Sequence, residues 1–422
     1  MAHRRGDERA TSTGRALTVL VGVAAAATVL GIVALRPTDL DLPDLAEIGV
    51  PREIYRATVV GTDRGPCPGL PPEATEPVCL NLRTRLLEGP DRGGVFTIGL
   101  AESPSTPDIQ ADETIVVARQ RGAQPGFEYS LVDRDRRGVL VLLAVAFAVA
   151  VLVLGRLRGL AALVGLAATL AALLTFILPA ILDGQSPLLV AVVGASAIAF
   201  VAIYLAHGFS TMSSVALLGT LAGLGLTALL GTLFVDLTRI SGFASEEAIL
   251  VQVADVQLNL AGLILGGMVI GALGVIDDVT VTQASAVWRI REANPGLDRR
   301  ALFRSGLRIG RDHVASTVNT LVLAYAGASM PLMVLFVLSR QSLGDVANGE
   351  VVATEIVRTL TGSIGLVAAV PITTWLAALV ASRRPAGEDL PEVVERPHRR
   401  GERRPPRRTR RDPFWDLRGD DD

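Results

Sequence analysis

Hydrophobic positions follow two patterns along the chain. Between roughly residues 40 and 135, short segments alternate apolar and polar: Glu53–Val60, Val78–Leu87, Gly94–Leu100, Glu113–Arg119 and Phe127–Asp133, separated by Pro- and Gly-rich connectors. That period-two alternation predicts strands, because successive side chains on a strand point to opposite faces. Five strands in so short a stretch fit a small closed barrel, OB-like, or a small sandwich. A barrel has the merit of leaving no open sheet edge. Elsewhere the apolar runs are long and unbroken. They predict membrane spans at 16–35, 139–154, 159–182, 187–206, 213–235, 256–276, 315–338 and 359–381, each rich enough in apolar residues to sit in hydrocarbon. The second run is short, since 16 residues at ~1.5 Å each reach only about 24 Å.

The fold class expected is therefore a polytopic α-helical membrane protein, with about eight transmembrane helices and a small extracytoplasmic β-rich, OB-like domain. The expected domains are 1–15 cytoplasmic N-terminus, 16–36 transmembrane anchor, 37–138 β domain, 139–276 helices two to six, 277–314 cytoplasmic polar and basic loop, 315–381 helices seven and eight, and 382–422 disordered basic tail. The first run resembles a signal peptide's h-region but is longer, and no Ala-x-Ala site comes after it, so it reads as an uncleaved anchor. Few aromatics and many Ala, Val, Leu and Gly suit close helix packing in lipid.

Arginine supplies every basic side chain other than histidine, and its placement sets orientation. With the N-terminus inside, Arg156, Arg158, Arg289, Arg291, Arg299, Arg300, Arg304, Arg308, Arg311 and the tail arginines all fall inside, whereas the outside loops at 183–186, 236–255 and 339–358 hold only Arg239, Arg340 and Arg358. This is the positive-inside pattern. It places both termini in the cytoplasm of a cell (plasma) membrane protein and the β domain outside. There Cys67 and Cys79, in and beside the loop between the first two strands, are expected to form a disulfide; the alternative is two free thiols. The bilayer is the expected partner. The arginine-rich tail either rests on anionic lipid headgroups or is simply solvated. No cofactor, no metal and no nucleic-acid partner is expected.

Candidate chemistry centres on 259–288, where an apolar glycine-spaced helix is expected to end in Asp277 and Asp278 with a short polar helix after them. Asp278 reads either as the cap of that next helix, accepting from Thr280 or Val281, or as a functional carboxylate. Adjacent helical residues point about 100° apart, so the two acids are poorly placed as a protease dyad. Asp278, Thr282 and Ser285 share one helix face, as do Asp312, Ser316 and Asn319. Two such stripes facing one another would make an oxygen-rich lining for a hard cation or a proton path. The alternative is interhelical hydrogen bonding with nothing transported. His207 and His313 are too isolated to predict a metal site. Gly262, Gly266, Gly267, Gly271, Gly219 and Gly223 are packing positions. Pro331 and Pro371 are expected to break the last two spans.

These residues resemble the YibE/F family of bacterial multi-pass membrane proteins. The likeness rests on GALGVIDDVTVTQASA at 271–286, GRDHVASTVNTLVLAYAGAS at 310–329 and GSIGLVAAVPITT at 362–374. It implies the multi-pass architecture and carries over no substrate and no catalytic residue. Two functions stay open: a permease or channel for a small solute or ion, and a scaffold displaying the β domain. An enzyme is not expected, because no HExxH, G-x-S-x-G or P-loop is present.

Overall fold

The computed structural model describes residues 2–38, 53–68, 78–120, 128–244, 248–249 and 258–383. The expected tail therefore lies outside the described residues, apart from its first two positions. Helix α1 (Ala2–Ala34) precedes five strands: β1 (Ile54–Pro66), β2 (Val78–Leu86), β3 (Val95–Ala101), β4 (Thr114–Arg119) and β5 (Tyr129–Arg134). All five expected strands are present, with shifted ends. They form one antiparallel sheet in the order β3-β2-β1-β4-β5. The alternation is physical: Ala57, Val59, Leu82, Leu86, Ile98, Ile115 and Val117 all point into one core. The outer strands curl towards each other. Phe96 on β3 and Tyr129 on β5 pack with ring centroids 4.6 Å apart and planes tilted by 55°, and Tyr129 donates to Asp91 Oδ2 at 2.6 Å. Cys67 and Cys79 are joined in a disulfide with Cα atoms 4.9 Å apart, tying the end of β1 to the start of β2.

The helical half begins with α2 (Arg137–Ala172), a π-helical turn at Leu173–Ile177 and α3 (Leu178–Leu182). Then come α4 (Pro187–His207), α5 (Thr211–Thr238), α6 (Leu260–Ala293), α7 (Arg299–Ala328), α8 (Met330–Ser339), α9 (Leu343–Asn348) and α10 (Glu350–Ala381). Side chains fix several starts: Ser210, Asn259 and Asp298 accept from the backbone N–H of Ser213, Gly262 and Ala301 at 3.0, 2.9 and 2.8 Å. These satisfy donors that a helix start leaves orphaned.

Among the described residues, six helical stretches are long and apolar enough to cross a membrane, and a seventh arises if the bent pair α7–α8 is taken as one. This differs from eight because 139–154 and 159–182 lie within one stretch, Arg137–Leu182. That stretch is not straight. Arg156 has φ 50° and ψ −127°, outside the helical region. A Cβ on Gly159 would collide with the carbonyl of Val151, eight residues back. In a straight helix those two residues are about 12 Å apart along the axis, so the chain turns sharply at Arg156.

Two expectations about proline separate here. Helices α7 and α8 meet at 64° beside Pro331, whereas α10 runs through Pro371 without ending. A proline early in a helix costs no hydrogen bond, while one in the interior removes one that neighbouring helices must compensate.

Contacts order the helix ends. The Thr38 N–H, just past α1, donates to Asp183 Oδ2 at 3.0 Å, placing the end of α1 beside the α3–α4 loop. Pro187 at the start of α4 lies against Gly262 and Gly266 at the start of α6. Glu350 at the start of α10 accepts from Ser241 N and Gly242 N, just past α5, at 2.9 and 2.7 Å. At the opposite end of α4, Arg158 and Asp278 are both within electrostatic reach of His207. The core between these ends is apolar, built from Ile177, Val190, Ile198, Leu217, Leu224, Val269, Ile276 and Leu366.

Candidate functional site

Helix α6 is the element around which α4, α5, α7 and α10 pack. It runs without a break through Asp277 and Asp278 to Ala293. The expected helix end at the aspartates is therefore absent, and Asp278 caps nothing. The next two turns supply the reason. Val279, Thr280, Gln283, Ala284 and Val287 continue the buried face, so packing carries the helix past two residues of poor helix propensity. The backbone N–H of Asp278 donates to Asp277 Oδ1 at 2.8 Å.

The buried face below the aspartates is polar. Thr280 Oγ1 lies 2.6 Å from Thr220 Oγ1 on α5 and 3.0 Å from the Asp277 carbonyl. Gln283 Nε2 donates to the Gly306 carbonyl of α7 at 2.8 Å and to Thr374 Oγ1 of α10 at 2.7 Å. Thr374 donates in turn to the Val370 carbonyl at 2.6 Å. The Thr373 hydroxyl is fully buried and has no partner among the described residues. It presses on Gly219, where an added Cβ would collide with it. Cβ atoms on Gly306 and Gly310 would likewise sit 2.7 Å from Val287 Cγ2 and 2.8 Å from Gln283 Oε1. Three glycines thus let four helices close on a cluster of amide and hydroxyl groups. A buried polar group without a partner is costly, and here all but Thr373 are paired.

Opposite this cluster, α6 presents a different face. Gly267, Gly271, Gly274, Asp278 and Thr282 are all exposed and recur at spacings of three and four. Among the described residues, nothing stands within 4 Å of a Cβ built on Gly267 or Gly274, and on Gly271 only the Tyr325 hydroxyl approaches, at 3.3 Å. Asp277 and Ser285 are half-buried at its edges.

The second predicted stripe lies elsewhere. Helix α7 buries Leu302, Gly306 and Gly310 and leaves Asp312, Ser316 and Asn319 exposed. At about 100° per residue, Asp312 lies some 200° round the helix from Gly310. The two stripes therefore do not oppose each other, and among the described residues no hydrogen bond joins them. Asp278 with Thr282 forms one open surface, and Asp312, Ser316 and Asn319 form another. His313 Nε2 is buried without a partner among the described residues. No group of three or more His, Cys, Asp or Glu able to hold a metal occurs among the described residues.

Sequence reasoning missed Thr220, Thr280, Gln283, Thr373 and Thr374 as one cluster. The available signal was Gly306 and Gly310, four residues apart in a helix otherwise rich in arginine, which marks a close approach of backbones.

A family model described as YibE/F-like protein matches residues 143–383, the helical half and more than half of the chain. No curated protein and no solved structure matches the sequence.

Proposed function

The chain belongs to the YibE/F-like family, and on that premise we propose that it is a plasma-membrane permease or channel conducting a small solute or ion along the open face of α6. The observation that carries this reading is the alignment of Asp278 and Thr282 with Gly267, Gly271 and Gly274 on that face. Glycines leave room beside an otherwise apolar helix. A carboxylate and a hydroxyl at the end of that space suit a cation or a protonated solute. No nucleotide-binding motif accompanies them, so movement is passive or ion-coupled unless a partner supplies energy.

The proposed topology has eight traversals, with the sharp turn at Arg156 dividing Arg137–Leu182 into two legs. Supporting it, Arg158 and Asp278 share the neighbourhood of His207, while Asp183 at the far end of the second leg meets Thr38. Eight traversals keep the arginines of 156–158 and 289–311 on one side, as the positive-inside rule requires. Both termini are then cytoplasmic, and the disulfide-closed, OB-like β module is outside. The strand order and the Phe96–Tyr129 closure support the OB-like reading.

A scaffold role is the second reading. Arg83 and Arg85 favour it: they stand exposed side by side along β2 with no salt bridge among the described residues, free for a partner. Flux of a panel of monovalent and divalent cations into proteoliposomes separates the two. Conduction predicts wild-type flux that Asp278→Asn reduces at equal protein level. Flux equal to that of empty vesicles rejects conduction and leaves the scaffold.

A further inference from the structure

The outward face of α7 carries a carboxamide, Asn319, at a depth where a helix facing lipid is apolar. Asp312, Ala315, Asn319, Val322 and Ala326 recur at alternating spacings of three and four, a seam that faces one way. None of them is buried, whereas Gly306 and Gly310 on the other side of the helix are packed into the bundle. The depth of the seam is set by its neighbours. Gly310 lies against Gln283, and the Tyr325 hydroxyl lies against Gly271. Asn319 falls between these levels, near that of Ile276, about 24 Å along α6 from Leu260 at the usual helical rise. That is within a hydrocarbon core about 30 Å thick. A carboxamide turned towards acyl chains there lacks a partner that another helix would supply.

The face carries its own complement. Arg311 adjoins Asp312, and Arg308 stands one turn earlier. Among the described residues none of the three is in a salt bridge. A surface with adjacent cation and anion, and a carboxamide that both donates and accepts, pairs with itself. Two copies inserted in one membrane with the same orientation run parallel about a two-fold axis. Arg311 of one then meets the second copy's Asp312, the converse contact forms by symmetry, and Asn319 meets Asn319. A single asparagine in such a seam also fixes register and favours two strands. We propose that the α7 seam from Asp312 through Asn319 to Ala326 is the contact between two copies of this chain. The inference rests on the membrane placement proposed above and not on conduction.

Oxidative cross-linking in native membranes tests it, using the full chain with one added cysteine. Asn319→Cys and Val322→Cys should give covalent dimers; Val153→Cys, exposed on α2, should not. Charge reversal supplies an independent arm. Asp312→Arg or Arg311→Asp alone should weaken self-association in nanodisc or detergent titrations about tenfold, the scale of one interhelical polar contact in lipid, and the double reversal should restore it. Cross-linking equal at Val153, a monomeric mass throughout, or association indifferent to the reversals overturns the proposal. Resistance to carbonate extraction, measured on the same membranes, reports insertion separately. Release of the wild type by carbonate would overturn the membrane placement itself.

Discussion

Gln283 on α6 donates to the Thr374 hydroxyl on α10 at 2.7 Å while its second N–H reaches the Gly306 carbonyl on α7 at 2.8 Å. One amide thus fastens three helices. Replacing it with leucine leaves buried acceptors without a donor, at a cost of about 1–3 kcal/mol. Gln283→Leu should lower the thermal unfolding midpoint of the detergent-solubilised protein, with no change in the β module's resistance to protease.

Gly219 and Thr373 make a sharper test of the same packing. A methyl on Gly219 collides with the Thr373 hydroxyl, and overpacking of this kind costs about 1–3 kcal/mol. Thr373→Ala removes a buried hydroxyl that has no partner among the described residues, so alone it should be neutral or stabilising. The double variant Gly219→Ala/Thr373→Ala should regain most of the loss, which a double-mutant cycle on unfolding midpoints measures.

The disulfide closes a loop of 12 residues' sequence separation. By the chain-entropy account such a loop stabilises by about 3 kcal/mol. Cys67→Ala/Cys79→Ala should therefore make the 53–134 region more susceptible to protease added to the full-length protein, and leave the helical half unchanged.

Tyr129 gives the β module an alkaline limit. Burial, together with the hydrogen bond to Asp91, pushes its hydroxyl up to about 12, against about 10 in an unfolded chain. The folded form holds its proton more tightly, so this contribution is intact below about pH 10 and is lost as pH rises towards 12. Tyr129→Phe should abolish that alkaline loss in a pH series of β-module protease resistance. Glu88 sets the opposite limit: its hydrogen bond from Arg56 holds the carboxyl below the usual range. Its contribution is present above that range and lost as pH falls through the lowered value.

The turn at Arg156 decides the topology. With eight traversals, Arg156→Cys should be labelled by an impermeant maleimide only from the cytoplasmic side and Asp183→Cys only from outside. Labelling of both from one side would mean that Arg137–Leu182 does not cross twice.

The strands were readable because alternation survives at Ala57, Val59, Leu82 and Ile115 whatever the loops do. The apolar helices were readable because length and hydropathy are local properties. The aspartates were misread for a physical reason: carboxylates after an apolar run resemble a boundary, yet Thr280, Gln283 and Val287 bury one face and continue the helix. Which way the α7 stripe faces was not legible. Spacing puts Asp312, Ser316 and Asn319 on one face, but only the packing of Gly306 and Gly310 says that this face points away from α6. Thr220 and Thr280 are 60 residues apart in sequence, and nothing local to either announces the other.

A conducting path along α6 requires that its glycine-lined face hold water rather than lipid. Gly274 is the position to probe, since a Cβ added there meets nothing within 4 Å among the described residues. Gly274→Cys should react with a membrane-impermeant, water-soluble thiol reagent, because a thiol ionises and reacts only where water reaches it. Conduction along this face predicts rapid modification at Gly274→Cys with none at Val145→Cys, exposed midway along the first leg of α2; equal silence at both positions would contradict it.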